Sequence, residues 1–83
     1  MPQFPAVTGK RLISYLIKDG WEKRRHARHG VLLVKRFGDR YRVTVVPDKS
    51  APLPPGTLSC ILGPKETGLG RDGLRGLLKK YGS

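Results

Sequence analysis

Cysteine is all but missing from this chain, with Cys60 the one thiol among 83 residues. A single thiol excludes an internal disulfide framework and a zinc site built from cysteines. The two histidines add no ligand-like spacing, so neither a structural metal nor a cofactor is expected. Long apolar runs are missing too. The longest is Val31-Leu32-Leu33-Val34, far short of the roughly 18 residues of a bilayer-spanning helix. No basic amphipathic helix with large exposed apolar residues suggests a membrane surface as partner. The opening Met-Pro-Gln-Phe-Pro lacks the basic start and apolar stretch of a secretory signal. A soluble, cytoplasmic single domain over residues 1–83 is the expectation. A chain of this length buries only about 60–65% of the surface its unfolded form exposes. Its core is therefore modest, with little room for a deep cleft.

Acidic residues are scarce as well. Six Asp and Glu stand against 17 Lys and Arg, a formal net charge of +11. Such a balance points to a polyanion. Between Lys18 and Arg42 nine basic residues face three acidic ones, across segments that read as adjacent strands. Adjacent strands gather charge into a field rather than a solvated tail, which favours nucleic acid.

Hydrophobic spacing orders the chain. Residues 1–7, with two prolines, read as an irregular arm. Thr8 to Asp19 reads as a helix, with Thr8 its N-cap, Leu12, Ile13, Leu16 and Ile17 on one face and Gly20 its stop. Trp21 to His26 alternates as a strand, and Trp21 reads as a core anchor. Ala27-Arg28 forms a turn. Val31 to Phe37 and residues 40–46 form a hairpin about Gly38-Asp39. Four prolines make 47–56 a stiff exposed connector. Thr57 to Leu62 forms a second helix capped by Thr57, with Cys60 buried in it and Gly63-Pro64 ending it. Asp72 to Tyr81 forms a short C-terminal helix on Leu74, Leu77, Leu78 and Tyr81, with Lys79 and Lys80 near its negative end. The order α-β-β-β-α with a trailing helix makes a two-layer α+β domain, helices on one sheet face. It is also the order of the double-stranded-RNA-binding fold.

The two-residue turn sets Val34 opposite Val43, Leu32 opposite Val45 and Leu33 opposite Thr44. Opposed residues share a face. Leu32, Val34, Val43 and Val45 are expected beneath the helices. His29, Val31, Leu33, Lys35, Arg42 and Thr44 are expected on the open face. There Val31 and Leu33 would form an apolar strip for a partner.

At four places the sequence becomes more specific: the Leu12-Ile13 helix, the junction Asp19-Gly20-Trp21, His29 at the start of the second strand, and Leu53-Pro54-Pro55-Gly56-Thr57-Leu58 running into Ile61-Leu62. In that order and spacing they resemble the HicA (YcfA-like) toxins, small mRNA interferases of toxin–antitoxin pairs. The resemblance covers about residues 8–80. It implies a fold like the double-stranded-RNA-binding domain, metal-independent cleavage of mRNA, a catalytic histidine at His29, and silencing by a HicB antitoxin. Where the family carries Gly-Ser before its histidine this chain has Ala27-Arg28. Where many members place a histidine after the third strand's Val-Pro it has Asp48-Lys49.

Metal-free RNA cleavage needs a base for the 2′-hydroxyl, an acid for the leaving oxygen, and positive charge beside the phosphoryl oxygens. Histidine titrates near neutrality and serves as either acid or base. On composition alone His29 is a solvated residue at a hairpin end; its place in the family pattern makes it the acid–base candidate. The second proton-transfer group is open among His26, Tyr41 and Lys35. Arg24, Arg25, Arg28, Lys35 and Arg42 are the candidate RNA contacts, arginine because it grips phosphate bidentately. The partner over Val31 and Leu33 is expected to be an acidic HicB-like antitoxin, matched to the +11 charge. A non-catalytic RNA-binding module of the same fold is the alternative.

Overall fold

Three helices and three strands account for most of the chain. The computed structural model describes residues 7–28 and 30–81, with the backbone alone described at Ala27 and Arg71. Helix α1 spans Gly9–Lys18, and the Thr8 hydroxyl accepts from the Arg11 N–H at 3.1 Å, capping its first turn. Leu12, Ile13 and Leu16 are buried as the spacing predicts, but the stripe is completed by Tyr15 rather than Ile17, which stays 44% exposed. The helix ends at Asp19, and Gly20 takes the positive φ (106°) that releases the chain toward Trp21. Trp21 is buried, as expected of a core anchor.

Strand β1 is Glu22–Ala27, β2 is Gly30–Phe37 and β3 is Arg40–Val46, forming one antiparallel sheet in the order β1-β2-β3. The hairpin pairs as the turn predicts: Val34 with Val43, Leu32 with Val45, Leu33 with Thr44. Gly38 carries the positive φ (62°) of the tight connection. The faces, however, are exchanged. Val31, Leu33, Thr44 and Val46 are the buried row, each at most 1% exposed, while Val43 is 44% exposed and Leu32, Val34 and Val45 are half-buried on the open side. Val31 and Leu33 are thus core residues and form no open strip.

The polar members of the buried row explain the exchange, because each has a bonding partner at the margin of the helical layer. Lys35 Nζ donates to the Asp19 carbonyl at 2.8 Å and lies 3.5 Å from its carboxylate, neutralising the negative end of α1. One terminal nitrogen of Arg42 donates to the carbonyls of Pro64 and Glu66 at 2.8 and 3.1 Å. The Thr44 hydroxyl donates to the Glu66 carboxylate at 2.6 Å. A row with polar groups can be buried when those groups are satisfied.

After β3 the chain runs back along the start of α1. Thr8 bridges to Pro52, Leu53 N–H donates to the Val7 carbonyl at 2.9 Å, and Leu53 is buried, so the connector is partly interior rather than wholly exposed. A Cβ at Gly9 would sit 1.7 Å from the Pro47 carbonyl oxygen, so the first turn of α1 abuts the end of β3 too closely for any side chain. Helix α2 is Pro55–Leu62. It starts two residues before the expected Thr57 because Pro55 suits the first helical turn and the Pro54 carbonyl accepts from Leu58 N–H at 2.9 Å. Leu58, Ile61 and Leu62 are buried as expected, but Cys60 is exposed and is not core filler. Helix α3, Gly70–Tyr81, buries Leu74 and Leu77, with Leu78 and Tyr81 packed at the margin. The buried row of the sheet joins α1, α2 and α3 in one core, which makes the domain α+β.

The exchange has a direct test in thermal unfolding of two variants. Leu33→Ala should cost about 2–5 kcal/mol and Leu33→Asp should abolish folding, whereas Val43→Asp should cost about 1 kcal/mol or less. Equal loss at both positions would refute the face assignment.

Candidate nucleic-acid interface

Strand β1 is one edge of the sheet, and Lys23, Arg24 and Arg25 on it are exposed, as is Arg28 in the turn that follows. Long cationic side chains suit an exposed edge because they discourage pairing with another strand. The alternation along β1 is broken once. Lys23 pairs with Leu33 and Arg25 with Leu32, leaving Arg24 as the extra residue of a bulge. Register therefore sets Arg25 on the open face beside Leu32, and Lys23 and His26 on the helix side beside Leu33 and Val31. Arg24 lies 3.4 Å from the Glu22 carboxylate, both largely exposed. Such a pair is worth about 0–1 kcal/mol and leaves the arginine available to a stronger anion.

The five expected RNA contacts divide. Arg24, Arg25 and Arg28 stand together along β1 and its turn, exposed. Lys35 and Arg42 belong to the helix-side row and are engaged with backbone carbonyls; Lys35 still borders the concavity that Arg24 lines, whereas Arg42 does not. His29 lies outside the described residues. Its neighbours Arg28 and Gly30 are at the end of the sheet where β1 gives way to β2, and Ala27 pairs with Gly30 there. A Cβ at Gly30 (φ 148°) would meet the Val46 carbonyl oxygen at 2.2 Å, so β2 and the end of β3 approach closely at this end.

The candidates for the second proton-transfer group also separate. Lys35 and Tyr41 belong to the opposite end of the sheet, since five residues of strand put Lys35 about 16 Å from Gly30. His26 pairs with Val31, one step from Gly30. Of the three, it is the one at the Gly30 end. Asp48 follows β3 at the same end. Its carboxyl is held below the ordinary value first by the hydrogen bond from Lys10 Nζ, at 3.0 Å, against the opposing effect of desolvation, and further by the charges of Lys10, His26 and Lys23. An anionic group thus sits within electrostatic reach of His26.

Of two further surface residues, Arg36 carried no role in the sequence analysis and Tyr41 only that of a proton-transfer candidate. Arg36 and Tyr41 are direct register partners on the open face, and both are exposed, Tyr41 by 60%. The hairpin register held the signal, since it places an arginine opposite a tyrosine. Tyr41 lines two surface concavities, of about 360 and 470 Å³. The first also holds Arg24, Lys35 and Arg36; the second, Arg40, Arg42 and Lys65.

Among the described residues no helix is long and apolar enough to cross a membrane. No family model, curated protein or solved structure matches the chain.

The ion pair at Asp48 can be checked by carboxyl titration in NMR. Its carboxylate is favoured in the folded state, so its contribution is present above the ordinary Asp range and is lost as pH falls through the lowered value. Lys10→Met should move the Asp48 midpoint up toward its ordinary value of 3.8. An unmoved midpoint would show that Lys10 is not the cause.

Proposed function

We propose that this chain is an RNA-binding protein with an architecture like that of the double-stranded-RNA-binding domain, and that it acts as a metal-independent endoribonuclease of the HicA kind. The observation that carries the reading is the run of exposed cations, Lys23, Arg24, Arg25 and Arg28, along the strand and turn that lead to His29. Their charge stabilises the phosphoryl oxygens as the 2′-hydroxyl attacks. His29 exchanges a proton with the attacking or leaving oxygen, and His26 is the group placed to serve the other. Products are a 2′,3′-cyclic phosphate and a free 5′-hydroxyl, with no metal in the balance. The element order and the buried Leu53 and Leu58 support the architecture, because the most distinctive segment of the resemblance docks α2 into the core.

An acidic antitoxin of the HicB kind is the partner this reading implies. With Val31 and Leu33 buried, its contact lies on other surfaces. The second reading, a non-catalytic RNA-binding module, is favoured by Arg28 standing where the family carries serine.

The experiment is cleavage of an mRNA transcript by the purified protein and by its His29→Ala variant, with chelator in a parallel arm. Loss of cleavage in the variant, with RNA affinity and melting temperature retained and no effect of chelator, is expected. Undiminished cleavage by His29→Ala would overturn the assignment of the histidine. Binding without cleavage by the unaltered protein would favour the module. Affinity should fall with salt, at a log–log slope of roughly −3 if about four phosphates of a single strand are neutralised.

A further inference from the structure

The open face of the sheet has an apolar floor and a charged rim. Leu32, Val34, Val43 and Val45 form the floor, all partly accessible. Tyr41 stands at its hairpin end, opposite Arg36. Arg36 Nε donates to the Gly38 carbonyl at 2.9 Å, which ties the guanidinium to the hairpin turn. On one side of Tyr41 is the concavity lined by Arg24 and Arg36; on the other, wrapping the β3 edge toward the helical layer, is the one lined by Arg40 and Lys65. Glu22 is the one carboxylate lining either, and it is already paired with Arg24. An exposed ring between two cationic recesses has the elements that a single strand of nucleic acid requires: a π-face for a base, and charge before and after it for the phosphates.

We propose that the open sheet face is a single-stranded RNA platform, on which Tyr41 stacks a base while Arg24 and Arg36 on one side, and Arg40 and Lys65 around the β3 edge on the other, hold the flanking phosphates. The inference rests on the RNA-binding reading and deepens it by naming the form of RNA and the contacts. A-form duplex keeps its bases paired and is recognised through phosphates and 2′-hydroxyls across its shallow groove. It has no free base to lay on Tyr41. A splayed strand does. The platform also extends the binding surface from the Gly30 end of the sheet, where His29 belongs in the sequence, toward the Gly38 hairpin. A second copy of the chain is disfavoured as occupant by the like charge of its own arginine rim, so the polyanion is the better match.

The test measures affinity for a single-stranded RNA of about eight nucleotides, made with 2′-O-methyl groups so that it cannot be cleaved, and for a duplex of about 16 base pairs. Tyr41→Ala should weaken the single strand roughly tenfold and change the duplex far less. Tyr41→Phe, which keeps the ring, should restore binding. Arg24→Ala combined with Arg36→Ala should flatten the single-strand salt slope by about 1.4, while Lys79→Ala, at an exposed position of α3, should leave it unmoved. Melting temperatures identify any variant that fails to fold, and Tyr41→Phe serves if Tyr41→Ala does not. Unchanged single-strand affinity in Tyr41→Ala would overturn the platform and leave RNA binding standing. Failure of the unaltered protein to bind either RNA at low salt would overturn the RNA-binding reading itself. Loss of an acidic protein partner on Val43→Asp, with single-strand affinity unmoved, would give the face to protein and also overturn the platform.

Discussion

Burial of one row of the central hairpin is the constraint on which everything else hangs. Val31, Leu33 and Val46 must lie beneath the three helices, and once they do, every other residue of β2 and β3 has its side decided. Lys35 is then delivered to the end of α1, Arg42 and Thr44 to the segment between α2 and α3, and Arg36 and Tyr41 to solvent. The polar bonds at the margin are the condition for that choice. A buried row ending in lysine, arginine and threonine persists because each finds an oxygen where the helical layer stops.

How far the sequence was legible follows from the same geometry. Strand pairing was readable because a two-residue turn at Gly38-Asp39 leaves little freedom in register. The buried side was not. Register states which residues share a face and is silent on which face the helices cover. Judged by apolar content alone, Leu32, Val34, Val43 and Val45 make the better interior. What decides otherwise is the supply of acceptors at Asp19, Pro64 and Glu66, which lie 16 to 24 residues away in sequence from the groups they bind. Distant partners of that kind leave no local pattern to read.

At the candidate site the legible part was the local charge. Arg24, Arg25 and Arg28 are near neighbours on one short segment, and an edge strand exposes them whichever way the sheet faces. Lys35 and Arg42 depended on the face, and fell with it. Tyr41 and Arg36 gained their position by the same exchange. The three candidates for a second acid–base group differ in how far along the sheet they lie. The order of the strands resolves them even though charge and residue type do not.

The contact of Gly9 with Pro47 bears on how the chain assembles. Lys10 N–H donates to the Lys49 carbonyl at 3.1 Å, Thr8 bridges Pro52 and Val7 accepts from Leu53, so the entry to α1 is fastened to the exit of the sheet. Everything between forms a closed circuit that contains all three strands. Closing a circuit of that length costs entropy that grows with the logarithm of its length, whereas each hairpin closes locally. The hairpins therefore form first in the expected order of folding, and the fastening comes late, when α1 already lies on the sheet. Breaking it would release both the first turn of α1 and the lead into α2 at once, so the two ends of the helical layer rise or fall as a unit.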